Sequence, residues 1–334
     1  MLNKIKYPAL NAKMKGMYAK ELTEEELDEL LRQHNLKDAI LFLKMKFSSL
    51  DRINENMNRR EIEQELNSLF IGNILKISKY LNKKELEIFK TFLLKYEIDL
   101  VKNVFRNLTT NRDSKIYLKN IDNWTERLFT GIRNINNVTT EKDFFDIIKG
   151  QDYYYIFEKY QNSINLIPIE ELEIKLDNYY FEKIYSIARE YNKELEDMVG
   201  TEIDLLNISI IYRSNAFFKY TSEEIIKLLI PIKYKLNKKN VSDLINSNSF
   251  EELIDVLDKT PYKGVFKNED SLEHDKKQYL YNIYKKYFKE KLFNICTVFC
   301  NINLIDIEIK NIINIIEGIR YSIDKSEIQK KIVV

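Results

Sequence analysis

Glycine and proline are scarce in this chain, seven and four of 334 residues. Ordinary domains carry about 7% and 5%, so the tight turns of a sandwich or barrel lack their usual residues. Long helices joined by polar loops need few of either. His34 and His274 are the only histidines, too few for a His-dependent triad or a His-rich metal centre. Cys296 and Cys300 are the only cysteines. They lie four apart in an apolar helical pattern and share one face of one turn, which reads as two small core residues in a reducing cytoplasm. No charge of one sign prevails: 53 basic against 52 acidic residues leave a net +1, so no global field draws the chain onto nucleic acid or an anionic bilayer. No run approaches the ~18–20 apolar residues of a membrane span; "IIKLLIPI" at 225–232 is short and contains Lys227. The N-terminus has neither the apolar core nor the cleavage site of a signal peptide. There is no glycine-rich loop ending in Gly-Lys-Ser/Thr, no Gly-x-Ser-x-Gly and no His-Glu-x-x-His. Acid pairs such as Glu97 with Asp99, or Glu170 with Glu171, read as solvated helix faces.

What the chain does have is a repeat. "EIDLVKNVFR" from Glu97, "DLLNISIIYR" from Asp204 and "EIKNIINIIE" from Glu308 start 107 and 104 residues apart. Each places an acid at position 0 and aliphatics at +1, +4 and +7: Ile98, Val101, Val104; Leu205, Ile208, Ile211; Ile309, Ile312, Ile315. A bulky apolar residue follows at +8 (Phe105, Tyr212, Ile316), completing one helical stripe. At +3 two copies have asparagine, Asn207 and Asn311, and the first has Leu100; at +9 stand Arg106, Arg213 and Glu317.

A second marker has nearly the same period. Asn35, Thr140 and Ser249 are each followed three residues later by Asp38, Asp143 and Glu252, the logic of a helix N-cap facing an acid in the first turn. Only Ser249 with Glu252 has the residue types of a full capping box. These caps lie 105 and 109 residues apart. Two markers agreeing on one period predict an all-α chain of three homologous helical domains, 1–112, 113–217 and 218–334, each the size of a small domain rather than a solenoid unit. Between the markers the pattern stays helical: "TEEELDELLRQH" opens with Thr23 and Glu26 as a capping box, and each unit has one long amphipathic segment. The aromatic series Tyr179, Tyr180, Phe181, Tyr185 and Tyr281, Tyr284, Tyr287, Phe288 sits mostly at helical spacing, which predicts core packing with phenolic hydroxyls at the surface.

The stretches "IDLLNISIIYR" (203–213), "EEIIKLLIPIKYKLN" (223–237), "FEELIDVLDKTPY" (250–262) and "EIKNIINIIEGIRY" (308–321) carry a family pattern. Through them essentially the whole chain resembles the C subunit of the archaeal and bacterial V-type (A-type) ATPase, the counterpart of the d subunit of the eukaryotic V-ATPase. Two departures stand out: Leu100 in place of asparagine, and "PIKY" (231–234), where the pattern has a glycine before the tyrosine.

The resemblance implies a pseudo-threefold funnel of three helical domains. One end would receive the central-stalk subunits (D and F type), and the other would rest on the membrane proteolipid rotor ring. The chain would turn with the rotor at the cytoplasmic face of the membrane, coupling ATP hydrolysis or synthesis to H⁺ or Na⁺ transport. It would be non-catalytic, with no cofactor, no metal and no bound nucleotide. On a helical wheel position 0 falls at the edge of the apolar stripe, +3 borders it and +9 lies opposite. Glu97, Asp204, Asn207, Glu308 and Asn311 are therefore candidate stalk-socket residues, with solubilised helix edges or intradomain pairs as the plainer reading. A stand-alone helical scaffold is the competing function, and an all-helical enzyme the third.

Overall fold

A computed structural model of the protein describes residues 3–110, 129–161, 169–290 and 295–334. Among the described residues there are fourteen α-helices and no strand: α1 Asn3–Tyr18, α2 Glu24–Leu31, α3 Leu36–Lys46, α4 Arg59–Ser78, α5 Lys83–Thr110, α6 Glu141–Ile148, α7 Ile169–Tyr191, α8 Lys193–Arg213, α9 Ser222–Leu228, α10 Lys238–Ile245, α11 Phe250–Leu257, α12 Leu272–Glu290, α13 Ile295–Arg320 and α14 Lys325–Gln329. The three carboxylate motifs lie on the long helices α5, α8 and α13, and every apolar position of their stripe, from +1 to +8, is buried. Each such side chain contributes about 1.5–3 kcal/mol by leaving water, so the stripe fixes which face of each helix turns inward. The domain boundary expected at 112/113 lies outside the described residues.

The second marker also forms where the sequence places it. The Asn35 side chain accepts the Asp38 N–H, Thr140 that of Asp143 and Ser249 that of Glu252, opening α3, α6 and α11. The reciprocal bond differs from expectation. It closes at Thr140, whose N–H donates to Asp143 at 3.1 Å, whereas at Ser249 the Glu252 carboxylate takes the N–H of Asn248 at 2.8 Å instead. The amide one residue upstream outcompetes the cap's own. Thr23 and Glu26 form the full box expected at α2.

The chain divides into two compact units, one of Met1–Lys20 with His34–Lys183 and the other of Glu21–Gln33 with Ile184–Val334. Within the first, Phe105 of α5 meets Phe144 of α6 and Phe157, the three rings 5.4–5.8 Å apart. Arg106 forks onto Glu173 of α7, and Lys102 reaches Asp177.

Within the second unit α12 packs on both α8 and α13. Tyr284 is buried on this side and its hydroxyl donates to Glu202, while that of Tyr287 donates to Asp197; the hydroxyls of these two, expected at the surface, are tied to carboxylates of α8. The start of α13 meets the start of α8, the Cys296 thiol on the N-cap Asn192 at 3.2 Å and the Cys300 thiol on Met198 at 3.4 Å. Both helices lead into a residue with positive φ, Lys219 at 54° and Ser322 at 53°, so the repeat extends to the turn.

Both cysteines are reduced thiols, fully buried, and burial pushes the Cys296 thiol up to about 11. In native protein at pH 7.5, neither thiol should react with a maleimide over the time in which the denatured chain reacts completely, as mass spectrometry would read. Modification of the native chain would contradict this placement.

Candidate functional site

Asp204 sits mid-helix on α8 and is 1% exposed. A carboxylate so buried is tolerable only if donors replace its lost water. Here the segment leading into α10 supplies them: the backbone N–H groups of Tyr234, Lys235 and Leu236 donate at 3.2, 2.6 and 3.1 Å, and the Tyr262 hydroxyl at 2.8 Å. Burial raises the Asp204 pKa and these donors pull it back; burial and the carboxylate together raise Tyr262. The segment bends without the glycine expected before Tyr234: Lys233 stands there, and its φ is not positive. The close approach is made by Gly200, one turn before Asp204, where a Cβ would lie 2.4 Å from the Tyr234 ring.

Three residues further along α8, Asn207 reads a whole peptide edge. Its Nδ2 donates to the Ile230 carbonyl at 3.0 Å and its Oδ1 accepts the Ile230 N–H at 2.9 Å. Asn311 of α13 does the same to Val333, at 2.7 and 3.0 Å. The two clasps hold residues 23 and 22 positions downstream, each just after a short helix, α9 or α14. Leu100 cannot make such a pair, and the stretch at the same offset lies outside the described residues.

The other two acids make variants of the Asp204 contact. Glu97 is buried on α5 and accepts the Tyr153 hydroxyl at 2.8 Å; burial raises its pKa, partly offset by Tyr153 and Lys183. Tyr153 and Tyr262 each lie thirteen residues after a repeat cap, Thr140 and Ser249. Half-buried Glu308 accepts the Leu22 N–H at 2.6 Å. Leu22 matches Leu236: each lies one residue before an N-cap, Thr23 or Asn237, that opens an eight-residue helix. Thus Glu308 of the third repeat holds the segment in front of α2, from the first. The five candidate residues therefore fall into one class of contact, each holding another segment of its own unit. The +9 residues do not join them: Arg106 pairs with Glu173, Glu317 with Arg320, and Arg213 is exposed.

No group of three metal-ligating side chains occurs among the described residues, and none of their helices is long and apolar enough to cross a membrane. Against known families, residues 10–331 match the model of the ATP synthase (C/AC39) subunit. The chain belongs to this family. The C subunit of the A-type ATP synthase of Methanocaldococcus jannaschii is 24% identical over 98% of this chain and 86% of its own length. That of Methanosarcina acetivorans is 24% identical over 71% and 62%, and that of Pyrococcus abyssi 22% over 78% and 69%.

For this C/AC39 chain, periodicity marked the acids and asparagines but not their partners. Tyr153, Tyr262 and Leu22 escaped because nothing local ties them to a helix 56 to 286 residues away. A usable signal existed: the caps Thr23 and Asn35, and Asn237 and Ser249, are both twelve residues apart.

Replacing Asp204 by alanine strands three backbone amides and a phenol and should cost about 3–5 kcal/mol, whereas Asn207→Ala or Asn311→Ala should each cost about 1–3 kcal/mol. Equilibrium urea denaturation checks the order; an Asp204→Ala cost below that of either asparagine would refute it.

Proposed function

We propose that this chain is the non-catalytic rotor adaptor of an A-type ATPase, joining the central-stalk subunits (D and F type) to the membrane proteolipid ring. The match over residues 10–331 carries the reading, together with relatives named as the C subunit of A-type ATP synthases. In this role the chain sits peripherally at the cytoplasmic face, as three repeats of 1–112, 113–217 and 218–334 forming a pseudo-threefold funnel. It transmits rotation between ATP turnover and ion transport without cofactor or nucleotide of its own.

The internal clasps support the role physically. An adaptor under torque must not let one repeat's connecting segment slide along the next, and hydrogen bonds from buried side chains to backbone resist such sliding better than surface ion pairs. Glu97, Asp204, Asn207, Glu308 and Asn311 would then shape the stalk socket through the segments they hold. The exposed apolar residues Phe217, Phe218, Tyr220 and Ile226 at one turn, with Tyr321 and Ile323 at its counterpart, offer the modestly apolar contact surface that assembly with a partner requires.

Titrating the purified chain with the purified central-stalk subunits in a calorimeter should give saturable one-to-one binding. In the triple variant Glu97→Lys, Asp204→Lys, Glu308→Lys, binding should be lost together with helical order. Absence of binding by the folded wild-type chain would overturn the adaptor reading in favour of a stand-alone scaffold.

A further inference from the structure

The third clasp differs from the second in one informative way. Position for position, Leu22 matches Leu236, so Glu21 stands where the second clasp has Lys235. Lys235 is neutralised locally, its amine on Asp197 at 2.7 Å and on Thr201 at 3.2 Å. Glu21 instead puts a second carboxyl on the residue next to Leu22, whose N–H donates to Glu308 at 2.6 Å; burial and then the Glu308 charge raise the Glu21 pKa, and its Oε1 is enclosed with no hydrogen-bond donor. The tyrosine is missing too, since thirteen residues after Asn35 the sequence has Ser48.

The surrounding charges do not repair this. Glu24 and Glu26 of α2 add negative charge, and Tyr281 of α12 is raised by burial and by Glu21, Glu24 and Glu308. Lys310 pairs with Asp306 on α13's own surface, and Lys325 reaches the Arg32 carbonyl at the far end of α2. Two neighbouring, half-buried carboxyls with so few donors cannot both hold a full charge at modest cost.

We propose that Glu21 and Glu308 form a proton-operated latch, closed while one of the two carboxyls keeps a proton and loosened when it is lost to solvent, so that pH sets how firmly residues 21–33 are held on α13. The directions agree: burial, then the Glu308 charge, raise Glu21, and burial raises Glu308 to about 7. Because the folded value exceeds the ordinary 4.5, the bound proton stabilises the closed contact. That stabilisation is complete at low pH and disappears as pH rises through about 7.

Hydrogen exchange of the full chain, read by mass spectrometry and corrected for intrinsic rates, tests this. Between pH 6 and 8, protection of residues 21–33 should fall about tenfold, while the stretch around Ile230, held by the untitratable Asn207, should not change. Glu308→Gln, which keeps an acceptor for the Leu22 N–H but has no proton to lose, should abolish the fall, Glu21→Gln should shrink it, and Glu21→Lys, which copies the second clasp, should hold the segment tightly at both pH values. A flat wild-type profile, or an equal fall in Glu308→Gln, would overturn the latch.

Discussion

A buried carboxylate must be given hydrogen-bond donors by something, and in this chain the something is the backbone of a connecting segment. Asp204 shows the arrangement in full: three consecutive amides from 234–236 and one phenol converge on a side chain 1% exposed. The donors come from residues that belong to no helix and would otherwise need water. Each side therefore satisfies the other, and the start of α10 is placed relative to α8 by polar contacts rather than by apolar packing alone. The neighbouring asparagine clasp to Ile230 fixes the same segment at a second point, which removes its freedom to rotate about the first.

The three copies have kept this principle while changing its chemistry. The second uses an aspartate, an asparagine and a tyrosine; the first keeps the acid and the tyrosine and has Leu100 for asparagine; the third keeps the acid and the asparagine and has no tyrosine. The third also holds a segment from the opposite end of the sequence, Leu22 being 286 residues from Glu308. Together with the packing of α2 on α13, this contact groups Glu21–Gln33 with the C-terminal unit rather than with its sequence neighbours. It also leaves the acid of this clasp with a single donor and with a second acid, Glu21, nearby.

How much of this was legible follows from the range of each interaction. The stripe at +1, +4, +7 and +8 and the caps at Asn35, Thr140 and Ser249 depend on residues within one or two helical turns, and all of them form. The full capping box expected at Ser249 does not close because the Asn248 amide, invisible to a pattern of side-chain types, takes the Glu252 carboxylate. A wheel put Asp204 at the edge of the apolar stripe, a position that suits a surface contact equally well; only the arrival of 234–236 turns that edge into an interior. Backbone amides leave no mark on residue identity, and so the acids could be found from the sequence while their partners could not. The glycine missing before Tyr234 likewise proved no obstacle, since the bend there requires no positive φ and the close approach falls to Gly200.

In the proposed adaptor role, torque would pass through these contacts, and their strength is measurable without a partner. The most direct measurement is a double-mutant cycle of Asp204→Asn and Tyr262→Phe by equilibrium denaturation. If the buried carboxylate and the phenol hold each other, the pair should show a coupling of about 1–3 kcal/mol. Strictly additive effects of the two substitutions would contradict the claim that the carboxylate clasp holds the repeat together.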